Sequence, residues 1–286
     1  MSGIEDIKLN SGLTMPRIGM GTWYLGENRN REAGEIEALQ EGIRSGIRLI
    51  DTAEMYGDGG AERLVGKSIG GVPREELFLV SKVYPHNADE RNLFNSLDDS
   101  LNRLGTDYLD LYLLHWRGAV PLVETVECME ACVRAGKIRG WGVSNFDISD
   151  MIDLINTPGG RSCAVNQVLY HLGSRGVEYS LMPWMQAHDI ALMAYSPLAQ
   201  KGRLRKGLMT SPEVRSIARD HGVSESQVLL AFDLQNGADI VVPRSGNPEH
   251  VRDNARAASL VLTDDEMKRL DRAFPAPHVK TPLDII

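Results

Sequence analysis

An α/β fold, a (β/α)8 TIM barrel with an N-terminal β-hairpin and a C-terminal extra helix, follows from three observations. Strand-like apolar runs begin near Ile18, Leu49, Phe78, Tyr108, Ile138, Ala164, Ala191 and Ile240. Their spacings are 31, 29, 30, 30, 26, 27 and 49 residues, and one βαβ repeat takes about 30 residues. Helical patterns fill the intervals, and strands alternating with helices make a parallel sheet. Eight such strands suit closure into a barrel, whose usual length is ~250 residues.

Each element has its own signal. Residues 7–15 read as a hairpin with its turn at Asn10 to Gly12, placed before the first barrel strand and suited to closing the barrel bottom. Residues 31–45 put Ile36, Leu39 and Ile43 on one face, and Gly46 follows as a stop. Residues 89–104 repeat this through Leu93, Leu97, Leu101 and Leu104, ending at Gly105. Residues 123–135 end at Gly136. Residues 147–155 and 178–188 are shorter helical stretches. Residues 200–211 form a basic loop with Lys201, Arg203, Arg205 and Lys206, and this insertion lengthens the last spacing. Residues 224–234 open with Ser-x-x-Gln, a capping signature. Residues 263–273 give the extra amphipathic helix, and a short tail follows from Phe274. No stretch rich in Pro, Gly and Ser interrupts the period, so residues 1–286 read as one domain.

Composition narrows the function classes. The 286 residues are 42% hydrophobic, enough for a full core. A formal net charge of −8 argues against a nucleic-acid surface. The N-terminus lacks an apolar signal region, and no apolar run nears the ~20 residues of a membrane helix. Three cysteines, two of them four apart in a helical pattern, read as reduced thiols and not as a zinc site or a disulfide. The expected setting is the cytoplasm, with no membrane or nucleic-acid partner.

The chemistry lies at strand ends. Asp51, Lys82 and His115 each close an apolar run, and Tyr56 follows Asp51 on the next loop. In a barrel all four meet at the carboxyl-terminal mouth. A free Tyr has a pKa of ~10, too high for easy proton exchange near neutrality. An adjacent ammonium favours the phenolate and lowers that value. Asp51 would keep Lys82 charged and in place, and His115 would orient a carbonyl. Any one of these residues alone is more often structural. Together they suit protonation of an oxygen as a carbonyl becomes an alcohol.

These residues resemble a known family. Asp51-Thr-Ala-Glu-Met-Tyr56-Gly, Lys82 and Leu-Leu-His115-Trp are similar to the catalytic tetrad of aldo-keto reductases. Gly140-Trp-Gly-Val-Ser144-Asn145-Phe, Asn166-Gln167, Ala194-Tyr195-Ser196-Pro197-Leu198 and Val242-Pro243-Arg244-Ser245 extend the resemblance, in order, from Ile18 to about Asn254. The ordered series is more specific than any one piece. The bacterial broad-range members that reduce methylglyoxal and aromatic aldehydes resemble it most.

The resemblance implies a carbonyl reductase that uses NADPH/NADP+, acting as a monomer. Tyr56 would donate the proton, tuned by Lys82 and Asp51, with His115 orienting the carbonyl. Ser144, Asn145 and Gln167 would hold the nicotinamide carboxamide, whose donors and acceptors they match. Tyr195 would stack on its ring. Gly21, Thr22, Trp23 and Asp51 would lie beside the cofactor. Ser196, Pro197, Leu198, Gln200, Lys201 and Arg203 would cover the pyrophosphate. Pro243, Arg244, Ser245, Gly246, Asn247 and His250 would surround the 2′-phosphate, with Asn254 at the adenine. Arg suits a phosphate because its fork binds two oxygens.

One residue departs from the family pattern. His250 stands where many members carry Arg, and an imidazole attracts a phosphate less than a guanidinium. NADPH is therefore expected to be preferred, with weaker rejection of NADH than in members with both cations. The substrate side is expected to hold Trp23, Tyr24, Tyr84, His115 and Trp116, aromatic walls that suit small apolar or aromatic carbonyls. The short tail suggests an open pocket.

Other patterns carry less. Gly66-Lys67-Ser68 resembles the end of a phosphate loop, but Ala61 replaces the leading Gly and the segment reads as helix. Gly19-Met-Gly21 opens like a dinucleotide fingerprint, but Tyr24 replaces the third Gly. No dense ligand cluster points to a metal. A nicotinamide-binding sensor with slow turnover is the alternative, weakened by the intact tetrad. A Schiff-base enzyme using Lys82 is weaker still, because Asp51 opposes the lowered pKa such a lysine needs.

Overall fold

The computed structural model describes residues 6–200 and 202–286. Two short strands, β1 (Asp6–Lys8) and β2 (Thr14–Pro16), pair antiparallel as the predicted hairpin. Eight strands then run parallel in chain order: β3 (Gly19–Gly21), β4 (Leu49–Asp51), β5 (Phe78–Val83), β6 (Leu109–Leu114), β7 (Ile138–Ser144), β8 (Val165–Leu169), β9 (Ala191–Tyr195) and β10 (Ile240–Val242). Bridges between Ile18 and Val241, and between Gly21 and Arg244, join the last strand to the first and close the barrel.

The helices fall in the predicted intervals: α1 (Glu32–Arg44), α2 (Gly60–Ser68), α3 (Leu93–Leu104), α4 (Leu122–Arg134), α5 (Ile148–Asn156) and α6 (Leu181–Ala187). Leu93, Leu97, Leu101 and Leu104 of α3 are buried as their spacing requires. Gly105 ends that helix at φ 68°, a left-handed conformation that glycine adopts without strain. The basic stretch after β9 is not a loop. It folds into α7 (Arg203–Met209) and leads into α8 (Pro212–His221), buried through Val214, Ile217 and Ala218. The predicted Ser224–Gln227 capping box starts α9 (Glu225–Gln235), which is buried along most of its length. Next come α10 (Pro248–Ala255) and the extra helix α11 (Asp264–Ala273), opened by a Thr263–Glu266 capping box.

Two apolar layers result. The barrel interior holds Leu49, Phe78, Val80, Leu111, Leu113, Val165, Met193 and Ile240. Leu9 and Met15 of the hairpin join this cluster, and Leu13 would touch a Cβ placed at Gly140. Asn10 donates to the Cys163 carbonyl at 3.0 Å. The hairpin thus plugs the end opposite the strand carboxyl termini. The larger layer lies between strands and helices.

Candidate active site

The strand carboxyl ends bring the predicted tetrad together. Asp51 ends β4, Lys82 lies near the end of β5, and His115 follows β6. Lys82 is fully buried, and its ammonium has three kinds of acceptor around it. Nζ donates to Asp51 Oδ1 and Oδ2 at 2.8 and 2.9 Å, to the Thr52 carbonyl at 2.8 Å and to Tyr56 Oη at 3.2 Å. Three N–H groups on one ammonium match that set. Gln167 Nε2 also donates to Asp51 Oδ1 at 2.9 Å, which fixes the carboxylate from the opposite wall.

Burial sets the proton balance. It pulls the Lys82 ammonium below its usual range, and the Asp51 charge opposes that pull. The Tyr56 phenol is pushed well above its usual value by burial, with Asp51 adding to the effect. This corrects the expectation of a lowered phenol: desolvation outweighs the ammonium, so the resting Tyr56 keeps its proton. His115 is pulled down to about 2 by burial and by the Lys82 charge, so its imidazole is neutral at working pH. Its ring meets the Tyr56 ring edge-on, with centroids 5.6 Å apart. His115 Nδ1 is buried and has no hydrogen-bond partner among the described residues.

A second set of polar residues adjoins the tetrad. Ser144 Oγ donates to the Gln167 carbonyl at 2.8 Å, and Asn145 Nδ2 donates to the His115 carbonyl at 3.1 Å. Tyr195 Oη donates to Asn145 Oδ1 at 2.9 Å. These links tie the ends of β7, β8 and β9 into one rim. Tyr24, Asn145, Ser196 and Ala199 have φ of 64°, 59°, 50° and 54°. Left-handed backbone is uncommon for such residues, and this strain clusters at the mouth.

One cavity of about 1310 Å³ spans the mouth. Tyr56, His115, Trp23 and Trp116 line one part, and Ser144, Asn145, Gln167 and Tyr195 line the next. Ser196, Pro197, Leu198, Gln200, Pro243, Arg244, Ser245 and His250 continue it. A dinucleotide fits this set of groups: amides, a hydroxyl, a flat ring and cations share one cavity with the tetrad. Gly21 keeps the floor tight, since a Cβ there would stand 2.8 Å from the Val242 carbonyl oxygen. Gly21, Thr22, Asp51 and Tyr24 also line the cavity.

Several expected residues are placed elsewhere. Tyr84 does not line the cavity; its ring packs edge-on against Trp116 at 5.8 Å and props it from behind. Arg203 is an exposed residue at the start of α7, away from the lining. Gly246 packs toward Glu35, and Asn247 caps α10 by accepting from the Glu249 N–H, so neither lines the cavity. Asn254 is buried on the inner face of α10 with Val251 and Ala255. Lys201 lies outside the described residues. The short tail still reaches the mouth: Ile285 and Ile286, at its end, line the cavity. Arg205 of the basic stretch lines the cavity, and lining residues that the sequence did not single out include Glu27, Asn28, Arg31, Glu35, Met55, Arg117, Asp150 and Ala199. They stand on loops and helix starts with no spacing signal.

Among the described residues, no group of His, Cys, Asp and Glu is arranged to hold a metal ion. None of their helices is long and apolar enough to cross a membrane. Lys67 of the rejected phosphate loop lies in α2, paired with Glu32.

A (β/α)8 barrel that joins a buried phenol–ammonium–carboxylate set to a cavity of about 1310 Å³ lined by amides, hydroxyls and cations is an oxidoreductase barrel. The chain belongs to the aldo/keto reductase family, whose model matches residues 17–274. It is 50% identical to the methylglyoxal reductase YeaE of Escherichia coli K12 over 280 residues, covering 98% of each chain. It is 35% identical to the glyoxal reductase of Bacillus subtilis 168, covering 93% of this chain and 92% of the relative. Among solved structures it is similar to an aldo/keto reductase from Klebsiella pneumoniae in complex with NADP and acetate. That match has a TM-score of 0.94 at 48% identity, covering 98% of this chain and 99% of the other.

Proposed function

We propose that this chain reduces aldehydes and some ketones to alcohols with NADPH, small α-oxoaldehydes such as methylglyoxal among them. The observation that carries the reading is the Lys82 ammonium, buried and bonded at once to Asp51 and to Tyr56 Oη. When bound, NADPH supplies the hydride. The chain's own residues handle the proton and the geometry.

Neutral His115 donates from its ring to the carbonyl oxygen and turns that oxygen toward Tyr56. Tyr56 then releases its proton to the oxygen as negative charge builds there. The phenolate left behind is stabilised by Lys82 Nζ, already 3.2 Å away, and Asp51 keeps that ammonium charged despite burial. Gln167, Ser144 and Asn145 offer amide and hydroxyl groups to a carboxamide, and Tyr195 offers a flat face. Arg244 and Ser245 would hold the 2′-phosphate. Trp23 and Trp116 wall the substrate side and exclude water from the reacting oxygen.

The whole chain, residues 1–286, acts as one catalytic domain, as a monomer in the cytoplasm. Three buried, unpaired cysteines support a reducing compartment.

The test is a panel of small aldehydes with NADPH and NADH in parallel, following loss of reduced-nicotinamide absorbance. Turnover of methylglyoxal with NADPH is expected, and its absence across the panel defeats the reading. Tyr56→Phe keeps the ring and removes the proton. Its kcat should fall by about a hundred- to ten-thousandfold, while NADPH binding persists.

A further inference from the structure

His250 leaves the phosphate end of the cavity one guanidinium short of the family pattern, yet the cavity holds a cation from another element. Arg31, which caps α1, lines it and is exposed. No hydrogen bond or ion pair engages its guanidinium among the described residues. The other lining arginines are at least partly committed. Arg117 pairs with Asp150 and Asp153. Arg205 donates to the Leu198 and Ala199 carbonyls. Arg244 donates to the Trp23 carbonyl through Nε, which leaves its two terminal nitrogens.

Position supports a joint role with Arg244. The Arg31 carbonyl accepts from the Glu35 N–H one turn on. Glu35 Cγ lies 3.3 Å from where a Cβ at Gly246 would stand, two residues after Arg244. The Gly26 N–H donates to Glu35 Oε2 at 2.9 Å, which ties the loop before Arg31 to the same place. Further along, α1 and α10 pack closely, with Arg252 Nε donating to Glu41 Oε1 at 2.6 Å. The start of α1 is therefore level with the 244–247 loop. Glu27 and Glu35 also line this part, and the Glu35 carboxylate is engaged by Gly26.

We propose that Arg31 is the second cation of the 2′-phosphate subsite, reaching in from α1 to supply the guanidinium that α10 lacks at His250. A phosphate monoester carries close to two negative charges and three acceptor oxygens, so two guanidinium forks suit it. The inference rests on NADPH as the cofactor. It also sharpens the expected specificity: rejection of NADH depends on α1 as well as on the 244–250 segment.

The test is calorimetric titration of wild type, Arg31→Gln, Arg31→Lys, His250→Arg and the double variant Arg31→Gln/His250→Arg. The ligands are NADPH, NADH and 2′,5′-ADP, which reports on the phosphate end without turnover. Arg31→Gln should weaken NADPH and 2′,5′-ADP by about ten- to a hundredfold and leave NADH unchanged. Arg31→Lys should lose less. In the double variant, Arg at 250 should restore NADPH affinity. If Arg31→Gln keeps the wild-type ratio of NADPH to NADH affinity, or weakens both alike, the role of Arg31 is overturned and the cofactor reading stands. If wild type binds both cofactors equally, the cofactor reading falls and this inference with it.

Discussion

The Asp51–Lys82 pair is the residue-scale centre of the molecule. Both side chains are buried, and such a pair holds only while each member satisfies the other. Lys82→Met would leave the Asp51 carboxylate with Gln167 Nε2 and no cation. Removing one partner of a buried pair costs about 3–5 kcal/mol, so the urea midpoint should fall along with kcat. Tyr56→Phe removes only a hydroxyl with one Lys82 contact, so its stability should change far less. Comparing the two variants by denaturation separates holding the fold from moving the proton. The four tetrad positions were legible because each ends or follows an apolar run, but the direction of the Tyr56 shift was not. A neighbouring ammonium is visible in sequence, whereas the burial that outweighs it depends on Trp23 packing, with ring centroids 6.3 Å from Tyr56, and on the closed barrel beneath.

Among the elements, strands and helix stops read well, and the insertion after β9 did not. Leucines every three to four residues announce α3, and Gly105 its end. Residues 203–209 carry Arg, Lys and Gly with few apolar anchors, and only Leu208 of that helix is buried. Its helicity comes from packing over the mouth, where Arg205 holds two carbonyls. Capping was legible at α9 and has a consequence. Ser224 caps α9 and also bonds Asp253 of α10, joining two helices that flank the phosphate end. Ser224→Ala should cost about 1 kcal/mol in stability and loosen α10, seen as faster amide exchange in residues 248–255. The loop residues of the lining, Arg31 among them, gave no signal because spacing says nothing of which loops meet above a barrel.

At the scale of the whole molecule, buried histidines tie stability to pH. His115 is pulled down to about 2, and His171 to about 4, chiefly by burial. The unfolded chain binds a proton at each near the ordinary value of ~6.5, while the folded chain does not. The unfolded state therefore holds more protons below that value, and stability falls as pH drops. The slope is about 1 kcal/mol per pH unit for each histidine, from near pH 6.5 down to the folded pKa. Burial also pushes the Asp233 carboxyl well above its usual range, which works in the opposite direction. The His171 share is therefore read as the difference between wild type and His171→Asn in denaturation midpoints from pH 7 to pH 5, wild type losing more. The tail matters at this scale too. Lys280 pairs with Asp147, and Ser174 bonds Asp284, which brings Ile285 and Ile286 over the cavity. Deleting residues 282–286 should raise KM for small aldehydes and relax selection against bulky ones, as steady-state kinetics on both classes would show. The opposite pole carries a practical consequence. The hairpin turn at Asn10 and Ser11 is exposed and lies a full barrel away from the mouth. The native cysteines are buried, with the Cys132 and Cys163 thiols pushed up to about 12, so they resist alkylation. A cysteine introduced by Ser11→Cys becomes the single reactive handle, and a maleimide-coated support would capture every molecule by its base with the reaction chamber facing the flow.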